Sequence, residues 1–246
     1  MSQIQTPISN NVLILGSGGA IGNALVEHFL NVPDIDRVIA VSRRSQDTQH
    51  SKLFSIKTEY NEDAMAGVVS SLSEYKGTFS RVCICHGILH NDQIFPEKRV
   101  EDIAANGMQE TFYANAVVPA LWLKLLMNIL SGEQPCKVAC FSARVGSTGD
   151  NRLGGWYSYR ASKAALNSVL KTFAIEYKRR ADNVKLMAFH PGTVKSQMSE
   201  PFSASVPKGK LFEPEYVANC LAKIMDNLEC DGELSYLDYA GKSIPW

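Results

Sequence analysis

Asn11-Val12-Leu13-Ile14-Leu15 is a short, mostly apolar run that leads directly into Gly16-Ser17-Gly18-Gly19-Ala20-Ile21-Gly22, and helix-spaced apolar residues follow. The run reads as a buried strand, the glycine cluster as a tight turn, and the residues from about Ile21 to Leu30 as a helix. Glycines at such a turn let the backbone approach a pyrophosphate, whose charge meets the unpaired N–H groups at the helix start. Ordinary turns and helix starts also use glycine. The position after a buried first strand is what favours dinucleotide binding here. Gly16, Ser17, Gly19, Ala20, Ile21 and Gly22 are the candidate contacts. Ala20 stands where a third spaced glycine often lies, and a methyl group should still fit.

Outward from this turn, short apolar runs alternate with helix-period segments. Further strands are expected at Arg37–Ser42, Phe54–Glu59, Arg81–Cys85, Lys137–Ser142, Val184–Phe189 and Glu233–Asp238. Helices are expected near Asp63–Ser73, Val100–Gln109, Thr111–Leu130, Tyr157–Arg180 and Pro214–Asn227. Strands alternating with helices imply right-handed crossovers and a parallel sheet covered on both faces. The expectation is an α/β, Rossmann-type doubly wound fold with a mainly parallel seven-stranded sheet. No repeat, linker or shift of composition divides residues 1–246, so one domain is expected.

The 25 basic and 25 acidic side chains cancel, so no global field recruits nucleic acid or an anionic membrane. Residues 1–11 lack the basic start and apolar stretch of a secretion signal, and no uncharged apolar run approaches the roughly 20 residues that span a bilayer. Six cysteines lie mostly in core-like segments; Cys83 and Cys85 are too close on one strand to bridge each other. Reduced thiols, no metal site and a cytoplasmic location are the simplest reading.

About 20 positions after the last glycine, many dinucleotide folds place an acid that accepts a ribose hydroxyl. Here the position is Ser42, followed by Arg43 and Arg44. No carboxylate is there to repel a 2′-phosphate, and two guanidinium groups are available to hold one, which favours NADP while leaving NAD possible. A solvated basic loop is the plainer alternative. Farther on, Tyr159-Arg160-Ala161-Ser162-Lys163 puts a phenol and an ammonium on one helical face. A cation beside a tyrosine favours its phenolate, although such a pair is common by chance.

Taken together, these motifs resemble the short-chain dehydrogenase/reductase family over nearly the whole chain. The glycine turn matches Gly16 to Gly22, and Glu59 stands where the family usually has an aspartate near the adenine. Asn115, in Tyr113-Ala114-Asn115-Ala116, matches the family's proton-relay asparagine, and Tyr159 with Lys163 matches its Tyr-x-x-x-Lys pair. His190-Pro191-Gly192-Thr193-Val194 is similar to the loop that contacts the nicotinamide carboxamide, through Pro191, Gly192, Thr193 and Val194. More narrowly, Ser142-Ala143-Arg144-Val145-Gly146-Ser147, Gly154-Gly155-Trp156-Tyr157-Ser158-Tyr159 and the segment 241–246 resemble the C-factor-like branch. The resemblance implies an NADP(H)-dependent oxidoreductase that interconverts a small-molecule carbonyl and a secondary alcohol. Tyr159 would be its general acid/base, Lys163 would bind the nicotinamide ribose and lower the tyrosine pKa, and Asn115 would hold a water.

Two positions depart from the family pattern. The polarising serine usually stands second in a pair after the fifth strand, where this chain has Ala143. Ser142 would point to the opposite face of an ideal strand unless the backbone turns early; Ser147 is a second candidate. Cys85-His86-Gly87 replaces the usual Asn-Ala-Gly; Gly87 keeps the close approach to the cofactor, and His86 reads as a cofactor contact or as a hydrogen-bonded core histidine. Tyr157 faces substrate or packs. The apolar helix around Val117–Met127 reads as core plus subunit interface, which by resemblance implies a homodimer or homotetramer. Residues 193–210 read as a lid over substrate or an ordinary loop, and Trp246 as packing on the fold or a neighbour. A nucleotide-binding regulatory or signalling protein with little turnover is the competing reading, fed by Ala143 and the C-factor-like features.

Overall fold

A computed structural model describes residues 9–45 and 48–246; most of the polar amino-terminal stretch lies outside them. In chain order the elements are β1 (Asn11–Leu15), α1 (Ala20–Leu30), β2 (Arg37–Ser42), β3 (Leu53–Lys57), α2 (Glu62–Ser71), β4 (Phe79–Ile84), α3 (Ala105–Phe112) and α4 (Val118–Leu130). They continue with β5 (Cys136–Phe141), α5 (Tyr157–Arg180), β6 (Val184–His190), β7 (Thr193–Val194), β8 (Leu211–Phe212), α6 (Pro214–Asn227) and β9 (Ser235–Asp238).

Seven strands form one sheet in the order β3-β2-β1-β4-β5-β6-β9, every neighbouring pair parallel. Side chains of β1 alternate between two cores, as the period of a strand requires. Leu13 and Leu15 face a core with Met65 of α2, Trp122 and Leu126 of α4, and Leu166 and Leu170 of α5. Val12 and Ile14 face a second core with Leu25 and Phe29 of α1 and Val217 and Leu221 of α6. Chain order reverses between β1 and β4, which opens a crevice at the carboxyl ends of those strands, the usual ligand position in such sheets.

The expected helix at 100–109 is instead a short 3₁₀ turn, Val100–Asp102, followed by α3. Between α3 and α4 the chain takes one π-helical turn, Tyr113–Val117. Pro119 explains this local widening: a prolyl nitrogen cannot donate to the carbonyl four residues back, that of Asn115. Two-residue strands β7 and β8 make a separate small sheet that sequence patterning did not anticipate. The stretch Ala105–Leu130 is long and apolar enough to cross a membrane, its most apolar 18 residues having a mean hydropathy of 1.4. Half of its most apolar window is buried, however, and its Trp122, Leu123 and Leu126 are core residues. All six cysteines are unpaired thiols.

Candidate active site

The turn after β1 is a cradle that glycine keeps open. Gly16 has a φ of +87°, and its N–H donates to the Val41 carbonyl at 2.8 Å. A Cβ on Gly22 would lie 2.4 Å from the Gly16 carbonyl oxygen and 2.9 Å from Ser17 Cα, so no larger residue fits there. Ser17 Oγ is buried without a hydrogen-bond partner among the described residues, a cost for a polar group unless something else bonds it. Helix α1 begins beside it at Gly19 with no side-chain cap and no acid in its first turn. A buried unpaired hydroxyl, an open backbone cradle and uncapped N–H groups together fit a pyrophosphate.

Ser42 is buried at the end of β2, and its hydroxyl bonds the Arg44 backbone. It therefore shapes the loop. Arg43 and Arg44 are exposed, with Arg43 lying 5.5 Å from the Tyr60 ring centroid. Neither guanidinium meets a carboxylate among the described residues. Glu59 is exposed beyond β3, and the adjacent Thr58 N–H donates to the Ser42 carbonyl at 3.0 Å, tying the two strand ends together.

Across the crevice, the structure brings Gly87, Asn115 and Lys163 into one group. A Cβ on Gly87 would lie 3.1 Å from both Asn115 Oδ1 and Lys163 Nζ. The Asn115 amide donates to the Ile88 carbonyl at 2.9 Å and to Ser162 Oγ at 3.0 Å, and Asn115 Oδ1 accepts from Ile88 N–H at 2.7 Å. Its side chain thus stitches the π turn to the segment after β4 and to α5. Lys163 is buried, donates to the Phe141 carbonyl at 2.7 Å, and lies 5.9 Å from the Tyr159 ring centroid.

Burial lowers the Lys163 pKa to about 8 and raises that of Tyr159 to about 12, with the nearby Tyr236 phenol adding to the latter. The expected depression of the tyrosine by the lysine is absent in this arrangement. Desolvation of the phenolate outweighs an ammonium that is already engaged with a backbone carbonyl. Tyr159 is consequently held as a protonated phenol, the form required of a proton donor.

Ser142 is buried, and its hydroxyl donates to Asn167 Oδ1 at 2.6 Å. Ser147 Oγ accepts from the Asp150 N–H at 3.1 Å. Neither hydroxyl bonds Tyr159, and Ala143 occupies the position between Ser142 and the short turn Arg144–Gly146. His86 takes the core alternative. Its Nε2 accepts from Trp122 Nε1–H at 2.9 Å, and burial lowers its pKa to about 3, so it is neutral. Its Nδ1 still lies close beneath the glycine turn, 3.4 Å from where a Gly16 Cβ would be.

The segment after β6 turns at Gly192, whose φ is +76° and whose Cβ would strike the Phe212 ring at 2.7 Å. Pro191 and Gly192 precede Thr193 and Val194, which β8 fixes in place. His190 Nδ1 is a second buried atom without a partner among the described residues, and burial lowers that histidine's pKa to about 4. Trp246 packs on its own fold, against Tyr236 with a centroid separation of 5.2 Å.

Sequence reasoning missed several residues around Tyr159. Glu97 is a buried carboxylate at the start of α5, where Ser158 N–H donates to its two oxygens at 3.3 and 3.1 Å and the Ser158 hydroxyl also donates. A carboxylate is favoured at a helix amino end. The Glu97 carbonyl accepts from Trp156 N–H at 2.6 Å, and Trp156 has a φ of +53°, unique among the described non-glycine residues. That conformation costs on the order of 1–3 kcal/mol, three residues before Tyr159. Leu89, Ile94, Phe95, Thr111 and Tyr159 line a cavity of about 20 Å³ there, room for a single water. No sequence signal marks Glu97, a lone acid in a polar loop.

A doubly wound sheet with a glycine cradle at its switch point and a protonated tyrosine beside a buried lysine defines a nucleotide-dependent oxidoreductase site. The family profile described as short chain dehydrogenase matches residues 10–206, and the chain belongs to that family. Among similar proteins is the C-signal of Myxococcus xanthus, 30% identical over 145 residues, which are 59% of this chain and 82% of that protein. A benzil reductase ((S)-benzoin forming) of Bacillus cereus is 24% identical over 92% of this chain and 98% of its own length. Among solved structures, a carbonyl reductase from Pseudomonas aeruginosa PAO1 in complex with NADP is 25% identical, with a TM-score of 0.77 over 97% of this chain and 100% of that one. An NADPH-bound carbonyl reductase from chicken fatty liver reaches a TM-score of 0.82 at 21% identity, over 97% of this chain and 99% of that chain.

Proposed function

We propose that the chain is an NADP(H)-dependent reductase of small carbonyl compounds, with Tyr159 as the proton donor. The observation that carries this reading is a phenol held protonated beside buried Lys163, at the mouth of a crevice whose far wall is the open glycine turn. The cofactor-bound carbonyl reductases and the benzil reductases among its relatives support the substrate class.

NADPH, when bound, supplies the hydride. The uncapped backbone N–H groups at the start of α1, Ala20 to Gly22, and the Ser17 hydroxyl would take the pyrophosphate, Arg43 and Arg44 the 2′-phosphate, and Glu59 would serve the adenine end. Gly87 gives close backbone approach, and Pro191 to Val194 take the carboxamide. Lys163 holds the ribose and Tyr159 together, and Tyr159 gives its proton to the substrate oxygen as that oxygen gains charge. The backbone carbonyl of Asn115, which Pro119 cannot bond, is the natural acceptor for a water that returns a proton through Lys163. The apolar groove of about 520 Å³ between α4 and α5, lined by Leu121, Met127 and Phe173, supports pairing of two copies there.

The signalling alternative draws on one observation: the polarising position is Ala143, and the Ser142 hydroxyl beside it is committed to Asn167. NADPH oxidation across a panel of ketones and aldehydes separates the two readings. Carbonyl-dependent turnover supports the reductase; tight NADPH binding with none supports the sensor.

A further inference from the structure

The mouth of the Tyr159 pocket is built from aromatic rings contributed by three distant segments. Phe202, on the 3₁₀ segment Glu200–Ser205, lies 5.1 Å from the Trp156 ring, 5.3 Å from Phe95 and 5.9 Å from His90. Trp156 in turn meets the Tyr159 ring edge-on at 6.1 Å. His90 packs on Phe95 at 5.7 Å, and its Nε2 sits 3.1 Å from the Met198 carbonyl, which ties the two walls together.

These rings are not core. Phe95 is 55% exposed, and Trp156 and Phe202 are both partly exposed. A soluble chain that leaves such surface at a site mouth is using it for contact. Phe202 is the ring that links Phe95 to Trp156, and it fills the place between them that an incoming ring would take. The ring geometry now satisfied by Phe202 is tilted to edge-on, the arrangement aromatic quadrupoles prefer.

We propose that the site takes carbonyl compounds bearing an aromatic ring, which enters the Phe95–Trp156–His90 box at the place Phe202 occupies. This rests on the reductase reading and narrows its substrate class. Phe202 acts as an intramolecular competitor for the box, and Trp156, one of the box rings, meets Tyr159 edge-on. The one acid in the pocket wall, Glu97, is bonded by Ser158, so a neutral aryl group suits the box better than a cationic one.

The test compares 4-phenyl-2-butanone with 4-cyclohexyl-2-butanone, whose carbonyls are electronically alike and whose rings differ in aromaticity. Each aromatic pair contributes about two- to twelve-fold beyond its area, so the phenyl compound is expected to show roughly tenfold higher kcat/KM. Phe95→Leu should shrink that ratio toward one. Phe202→Leu should lower KM for the phenyl compound more than for the cyclohexyl one. Equal kcat/KM for the two ketones in the native protein overturns the aryl box while leaving the reductase intact. If neither ketone is turned over, the reductase reading stands or falls on the wider panel of ketones and aldehydes. Tryptophan fluorescence titration of the NADPH-loaded protein with both ketones then decides the box: phenyl preference supports it, and equal or absent binding overturns it.

Discussion

Replacing Lys163 with methionine should stabilise the cofactor-free protein while disabling it. Lys163 is 3% exposed, and its pKa falls from 10.5 to about 8 because burial penalises the ammonium. Each pKa unit corresponds to about 1.4 kcal/mol, so the charged side chain costs the fold roughly 3 kcal/mol at pH 7. The sign follows from linkage. Between pH 8 and 10.5 the unfolded chain binds the proton and the folded chain does not, so this site's contribution to stability rises with pH through that window. Below pH 8 the full penalty applies; above 10.5 it is gone. Methionine removes the charge at similar volume but loses the bond to the Phe141 carbonyl, worth about 1–2 kcal/mol. The net gain at pH 7 is about 1–2 kcal/mol, or a rise in Tm of about 3–6 °C for a chain of this length. Calorimetry of the native and Lys163→Met proteins at pH 7 and pH 10 measures it. The variant should melt higher at pH 7 and lower at pH 10. A difference that does not change with pH, or a variant already less stable at pH 7, would show that the lysine is not held at a desolvation cost.

Three other substitutions probe separate parts of the site. Arg43→Ala with Arg44→Ala should weaken NADPH binding by about 10- to 100-fold, from the loss of charge-assisted bonds, and leave NADH nearly unchanged; isothermal titration with both nucleotides checks it, and equal weakening refutes the 2′-phosphate assignment. Ala143→Ser should raise kcat for a ketone on the order of 100-fold, the scale of one oxyanion donor; an unchanged kcat means that carbonyl polarisation is supplied elsewhere. Glu97→Ala leaves the buried Ser158 N–H and hydroxyl unpaired and should cut kcat about tenfold or more through misplacement of Tyr159, whereas Glu97→Gln, which still accepts from Ser158, should restore most of it; a Gln variant as impaired as the Ala variant argues against positioning by that bond.

Much of the architecture was legible in the chain because its elements carry strong local signals. Helix α5 spans the expected Tyr157–Arg180, and α6 the expected Pro214–Asn227, where proline stands at the first helical position. The third strand was harder to bound: β3 is an edge strand with Phe54, Ser55 and Lys57 exposed, so its apolar pattern is weak. Residues 100–117 defied a single periodicity because a 3₁₀ turn, a helix and a π turn follow one another there. In the candidate site, Gly16, Gly22, Gly87, Asn115, Tyr159 and Lys163 were named from motifs, and the structure brings Gly87, Asn115 and Lys163 together. Ser142 illustrates the limit of strand parity. The period of two places its side chain opposite to that of Ala143, and Asn167 on α5 captures it, a partner no local pattern reveals. The aromatic box and Glu97 were invisible for a related reason, since they draw on residues about 45 to 110 positions apart with no shared period.

The most direct measurement compares native protein with Tyr159→Phe for NADPH affinity and carbonyl-dependent NADPH oxidation under the same conditions. The phenol is the one group asked to deliver a proton, so its loss should reduce turnover by about 100- to 10,000-fold with cofactor affinity unchanged. Undiminished turnover in the Phe variant would contradict the assignment of Tyr159 as the acid.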